Sequence, residues 1–416
     1  MPVVPPPLVP ATAGLQPRGF AVVPAAASLA ASLAATLACV ACAHGQTPAA
    51  AQPAPAVTTP TAPAATAAKP AAAATPAAAT PAPATPAAAA PAAAAPAPTF
   101  PRFVKSGNVS AWNISDVAKV FADARRLGLD TITVPVRVNM AAATSGEVKI
   151  DGPSLAFAQK VVATSSAYRY IIEPYPWIDN GNVPETDLNP TDKAAWFASY
   201  QGVIVALAKE FPRAWGLYIA SNLVKIEDQS AAWLALVKVV RAAYTGKIIY
   251  RTQWWATAGW EPSTVAAYKA KVQNPLFAAV DVIAIAAYFE LTETVAPTLA
   301  DIKAALRSTT VFDRKQDVYA EVMALQAKWG KPIFLGELSC PAVDFGAKNP
   351  WDPAASDTPN PAIQRNYLEA YLQTFAQDPA KFLGFSLFTI GHPTVTPYEL
   401  APTAVEYVRG FRPPVL

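Results

Sequence analysis

The sequence predicts an α/β protein, a (β/α)8 TIM barrel preceded by a disordered N-terminal segment rich in Ala and Pro. Three observations carry that expectation. Composition changes abruptly near residue 100, where an Ala, Pro and Thr monotony gives way to an ordinary mixture with aromatics and charges. Beyond that point apolar runs of strand length alternate with amphipathic stretches of helix length about eight times, the pattern of strand-helix units around a parallel sheet. Several of the runs end abruptly in a polar residue, as barrel strands do where they deliver side chains to the mouth.

The elements follow in chain order. Residues 1–43 read as a signal peptide or lipoprotein signal: an apolar stretch runs from Phe20 to Ala43 with Arg18 as its preceding charge, and polar Gln46 and Thr47 follow. Cleavage after the small-x-small triplet Ala41-Cys42-Ala43, a lipid on Cys42 or Cys39, and an uncleaved anchor are the three readings of that segment. Each implies export, and the second implies membrane attachment through an N-terminal lipid. Residues 44–100 are an Ala/Pro/Thr-rich linker whose only charge is Lys69; frequent Pro stops the Ala runs from propagating as helix and favours extended, semi-rigid chain. Residues 101–416 are long enough for one large core.

Within 101–416 the expected strands are Phe103–Val109, Thr131–Val138, Tyr168–Pro174, Trp215–Ser221, Lys247–Thr252, Val280–Ala286, Pro332–Gly336 and Phe382–Phe388. Helical patterns lie between them at Asp116–Leu127, Lys193–Glu210, Ala231–Tyr244, Leu299–Leu306, Arg314–Trp329 and Ile363–Ala376. Residues just past each strand then face the site, so the strand ends double as a register of candidate chemistry. They are Trp112, Asn139, Glu173, Tyr175, Trp177, Asn222, Gln253, Trp254, Trp255, Tyr288, Glu290, Glu337 and Thr389. A rim of Trp and Tyr with amides and carboxylates suits a neutral sugar chain, because aromatic faces cover the C–H face of a pyranose while polar groups take its hydroxyls. The expected partner is therefore a polysaccharide or oligosaccharide, with Trp112, Tyr175, Trp177, Gln253, Trp254, Trp255 and Tyr288 as its contacts. Trp196, Trp233 and Trp329, inside helical patterns, read as packing.

Composition narrows the alternatives. Of 32 basic and 29 acidic residues only Arg18 and Lys69 precede residue 101, so the folded part is nearly neutral and nucleic acid is not an expected partner. Cys340 is its single cysteine, which excludes an internal disulfide, and the Cys and His clusters of a zinc site are missing. No Gly-x-Gly-x-x-Gly follows a strand. Neither a metal nor a cofactor is expected, and a monomer is.

Four segments together resemble glycoside hydrolase family 113, the (β/α)8 β-mannanases of the large retaining-glycosidase clan. They are Ala195-Trp196-Phe197-Ala198-Ser199-Tyr200, the run Val239 to Tyr250, the run Val282 to Leu291, and Lys331-Pro332-Ile333-Phe334-Leu335-Gly336-Glu337. The resemblance implies a nucleophile at the end of strand seven, where Glu337 stands, and a general acid/base at the end of strand four. There the family's Gly-x-Glu-Leu reads Ala220-Ser221-Asn222-Leu223, so Asn222 occupies the acid/base position. Ala286 stands where relatives commonly place an Asp.

A retaining glycosidase needs one carboxylate to attack the anomeric carbon and a second, roughly 5–5.5 Å away, to protonate the departing oxygen. Asn222 donates a hydrogen bond but transfers no proton, and general acid/base assistance is typically worth about 10²–10⁴ in rate. Substitute acids by position are Glu290 and Glu173 first, then Glu227 and Glu261. Three functions follow from this reading. One is an exported glycoside hydrolase acting on a β-linked, mannan-like or exopolysaccharide chain through Glu337. Another is a non-catalytic carbohydrate-binding or assembly protein of the cell surface, and the weakest is a barrel with no ligand.

Overall fold

The computed structural model describes residues 102–308 and 310–413; the signal and linker expectations lie outside the described residues. Among these, eight parallel strands close into a barrel: β1 Val104–Val109, β2 Thr131–Met140, β3 Arg169–Ile178, β4 Gly216–Ser221, β5 Lys247–Gln253, β6 Val282–Ala286, β7 Ile333–Leu338 and β8 Phe382–Ile390. Each pairs with the next, and β1 hydrogen-bonds both β2 and β8, so the cylinder has no open edge. A two-residue antiparallel strand, Lys149–Ile150, adds to β2 outside the barrel.

Every expected strand is present within a few residues of its expected bounds. The helices are α1 Val117–Leu127, α2 Gly152–Thr164, α3 Lys193–Glu210, α4 Ser230–Ala243, α5 Pro262–Gln273, α6 Leu299–Arg307, α7 Val318–Trp329, α8 Pro361–Phe375 and α9 Pro402–Gly410, with a single turn at Leu276–Ala279. Local chemistry explains their ends. Asp192 caps α3 by accepting from the Ala195 amide at 2.9 Å, and Thr298 and Asp301 form a reciprocal capping box at α6. Gly128 closes α1 in the left-handed region at φ 62°. Three helices, α2, α5 and α9, were not expected. α5 buries none of its residues and α2 has only a weak apolar stripe, so neither shows the periodicity that reveals a helix. α7 starts four residues later than expected, because Phe312, Asp313 and Lys315 take positive φ and wind the chain before it into a tight turn.

Alternation along the strands splits the core in two. Val104, Ile171, Tyr218, Ile249, Val282, Ala284, Phe334 and Leu383 plug the barrel interior. Ile132, Ile172, Leu217, Ile248, Ile283 and Leu335 point outward into the layer against the helices. The same phase that sets Ile171 and Ile249 into the plug carries Glu173 on β3 and Arg251 on β5 to the interior, two residues further up.

Candidate active site

Arg251 is the organising cation. Its position on the inward phase of β5 leaves it 1% exposed, and every edge of its guanidinium is used. Nε donates to Ser221 Oγ at 2.7 Å, Nη1 to the Gly336 carbonyl at 3.2 Å, and Nη2 reaches both the Glu173 carboxylate and, at 2.7 Å, Glu337 Oε1. Gly336 is the residue that makes room: a Cβ there would lie 2.9 Å from both Arg251 Cδ and the Tyr218 hydroxyl. Asn108 of β1 holds the same carbonyl from the other side at 2.9 Å. Two charges therefore meet one, since Glu173 and Glu337 share a single Arg.

Glu337 is 6% exposed. Burial pushes its carboxyl up to about 7; Arg251 opposes the rise, the charges of Glu173 and Glu185 add to it, and a hydrogen bond from Asn222 moderates it. Burial likewise raises Glu173, against the pull of Arg251. Arg251 would be lowered by burial, but its two carboxylates outweigh that and hold it firmly charged. Tyr288 and Tyr175 rise well above the ordinary phenol range, through burial first and then through charges that include Glu337 and Glu185, which places both hydroxyls in the same electrostatic neighbourhood.

Asn222 follows β4 at φ 55°, in the left-handed region that Asn tolerates better than most residues. Its backbone amide donates to the Arg251 carbonyl at 3.0 Å and its Nδ2 to Glu185 Oε1 at 3.1 Å. Its Oδ1 is buried without a hydrogen-bond partner among the described residues. Glu185 belongs to a short 3₁₀ turn, Glu185–Asp187, seven residues beyond the end of β3. That turn is fastened to the loop carrying Asn222 by a 2.7 Å ion pair between Asp187 and Lys225.

The positions expected from the sequence separate into three groups. Glu337, Asn222 and Glu173 come together around Arg251, whose charge also reaches Tyr175 and Tyr288. Trp112, 43% exposed, meets Trp177 edge-on at 4.6 Å; Tyr175 lies 6.3 Å from Trp177, and the Arg137 guanidinium covers the Trp177 ring at 3.9 Å. A hollow of about 440 Å³ lined by Asn139, Met140, Ser145, Lys149 and Asn180 adjoins Trp177. On the opposite flank Trp254 meets Tyr288 edge-on at 5.4 Å, within an apolar group that includes Ala286, Phe388 and Tyr398. Gln253 is half-buried at the top of β5.

Trp255 and Glu290 are engaged elsewhere. Trp255 packs into the helical layer: its indole donates to Glu321 at 2.8 Å and stacks on Tyr268 at 5.6 Å. Of the two adjacent tryptophans only Trp254 joins the aromatic group of the cleft, because consecutive residues after a strand point to opposite sides. Glu290 pairs with Arg314 at 2.5 Å and accepts from Trp351. Glu227 is enclosed by Lys271, Thr252 and Tyr250, and Glu261 accepts from Ser263 at the start of α5. Sequence reasoning passed over Arg251 and Glu185. Arg251 had a signal, a lone charge within the apolar run Ile248-Ile249-Tyr250-Arg251; Glu185, in a loop, had none.

Comparison with known proteins agrees with this architecture. The model of Glycoside Hydrolase Family 113 matches residues 177–403. Among solved structures the chain is similar to a GH113 β-1,4-mannanase (19% identity, TM-score 0.53, covering 69% of this chain and 88% of that one). It is similar also to a GH113 β-1,4-mannanase complex (17%, 0.55, 74% and 97%). A third is the GH113 β-mannanase AaManA from Alicyclobacillus acidocaldarius in complex with ManMIm (17%, 0.53, 74% and 95%). No curated protein matches the chain in sequence.

Proposed function

The chain belongs to glycoside hydrolase family 113, and on that premise we propose that it is an exported retaining hydrolase of a β-linked, mannan-like glycan, with Glu337 as nucleophile. The observation that carries this reading is the buried Glu337 carboxylate, held at 2.7 Å by Arg251 at the end of the seventh barrel strand. A carboxylate fixed by a guanidinium keeps one oxygen oriented for attack on an anomeric carbon, and Glu337 then leaves as the ester is hydrolysed. Trp112 and Trp177 on one flank and Trp254 and Tyr288 on the other supply sugar-stacking surfaces. Mannan-like substrates are favoured by the similarity to GH113 β-mannanases; export is favoured by the apolar segment Phe20–Ala43 and the linker behind it.

A second reading is favoured by Asn222. An amide at the acid/base position with a buried, unpartnered Oδ1 is an acceptor that a sugar hydroxyl satisfies, so the cleft also suits a protein that binds glycan without cutting it. One assay separates the two. Incubated with β-1,4-mannohexaose, the full chain is expected to release shorter oligosaccharides, and Glu337→Gln is expected to release none while still binding. Binding by both proteins with cleavage by neither establishes the non-catalytic reading.

A further inference from the structure

Asn222 leaves the retaining scheme one proton donor short, and the acids nearest their strand ends are engaged. Glu173 spends its carboxylate on Arg251, Glu290 on Arg314, and Glu227 on Lys271. Glu185 differs from all three. Among the described residues it makes no ion pair: its carboxylate accepts from the neutral Asn222 amide, it is half-buried, and its charge acts on Glu337, Glu173, Tyr175 and Tyr288 alike. We propose that Glu185, on the turn after β3, is the displaced general acid/base, with Asn222 as the side chain that holds it opposite Glu337. This rests on the hydrolase reading above.

The geometry gives each group a part. The Asn222 amide donates to Glu185 Oε1 at 3.1 Å and its polarity also eases the charge on Glu337. A retaining pair needs its carboxylates about 5–5.5 Å apart, rather than the ~6.5–9.5 Å that leaves room for an inverting water. The Asp187–Lys225 ion pair pins the turn to the loop after β4, so Glu185 is held by two contacts to the element that ordinarily carries the acid. In the first step a Glu337 oxygen bonds to the anomeric carbon as the glycosidic C–O bond breaks, and the Glu185 proton passes to the departing oxygen. In the second, Glu185 takes a proton from water as the water oxygen bonds to the anomeric carbon and the Glu337 ester opens. The original configuration returns, Glu185 is protonated again, and nothing is oxidised or reduced.

The test uses the full chain, Glu185→Gln and Glu337→Gln, each with β-1,4-mannohexaose and with 2,4-dinitrophenyl β-mannoside, whose phenolate departs without a proton. Glu185→Gln is expected to lose about 10²–10⁴-fold on mannohexaose. On the aryl glycoside it is expected to give a burst of dinitrophenolate followed by slow turnover, which azide accelerates with release of β-mannosyl azide. Glu337→Gln is expected to be inert on both. A misfolded variant gives neither burst nor azide product, so the positive signal is specific. Wild-type rates on mannohexaose in Glu185→Gln, beside an inert Glu337→Gln, overturn the role of Glu185 and leave the hydrolase reading intact. Equal losses on both substrates without azide rescue reduce Glu185 to a support for Asn222 and overturn it too. A wild-type chain inert on both substrates removes the hydrolase reading itself, and the acid/base with it.

Discussion

Glu227 and Glu337 are both buried glutamates beside the barrel, yet their surroundings differ in kind. Glu227 is 8% exposed and fully answered: Lys271 at 2.5 Å, the Thr252 hydroxyl at 2.6 Å and the Tyr250 hydroxyl at 3.1 Å. Glu337 is 6% exposed, shares the Arg251 cation with Glu173, and feels Glu185 besides. One cation per carboxylate makes a structural acid. One cation for two or three carboxylates, beside half-buried aromatics, leaves charge for a ligand to complete, which is how strained electrostatics marks a site.

The largest expected effect comes from removing the shared cation. Arg251→Met leaves Glu173 and Glu337 buried without their partner and is expected to destabilise the domain by about 3–5 kcal/mol, read from urea unfolding at neutral pH. If that loss is under about 1 kcal/mol, the two carboxylates do not depend on Arg251, and the contrast with Glu227 collapses.

Next is a pH dependence with a definite sign. Glu337 rises from 4.5 in the unfolded chain to about 7 in the folded one, so its protonated form favours folding. That contribution is complete below about pH 4.5 and is lost as pH climbs through about 7. Glu337→Gln, a neutral isostere, is therefore expected to unfold about 3 kcal/mol harder than its parent at pH 8, with the gap closing by pH 4. Because attack requires the ionised carboxylate, kcat/KM is expected to rise with pH across about 7.

A smaller change sharpens the other side of the comparison. Glu227→Gln keeps the hydroxyl contacts but loses the charge facing Lys271, and is expected to lower stability by about 1–2 kcal/mol while leaving kcat on mannohexaose within about twofold. A large fall in kcat with unaltered stability would transfer Glu227 into the active site. Smallest of all is Trp112→Ala, which strips an exposed ring from the flank at Trp177; KM for mannohexaose is expected to rise about five- to tenfold with kcat unchanged.

These residues also show what a sequence reveals. Strand positions were readable to within a few residues because both faces of a closed parallel barrel are apolar, which leaves continuous runs such as Val282–Ala286. The buried carboxylate at the end of the seventh strand was readable for the same reason, as an acid that interrupts such a run at Glu337. Trp255 was misassigned because composition marks a tryptophan but not the side of the strand end it takes, and that side is set by Glu321 and Tyr268 more than ten residues away in the chain. Glu185 was invisible because its meaning depends on a contact with Asn222 across 37 residues of chain, made by a loop with no periodicity.

The left-handed backbone at Asn222, φ 55°, bears on anyone hoping to place glutamate at that address. Asparagine settles there at little expense, whereas a longer acidic residue would meet a conformational penalty of about 1 kcal/mol before doing any chemistry. It would also set a fourth negative group beside Glu173, Glu185 and Glu337. Asn222→Glu is therefore uphill on two counts, and a designer would do better to reshape the loop first and exchange the side chain afterwards.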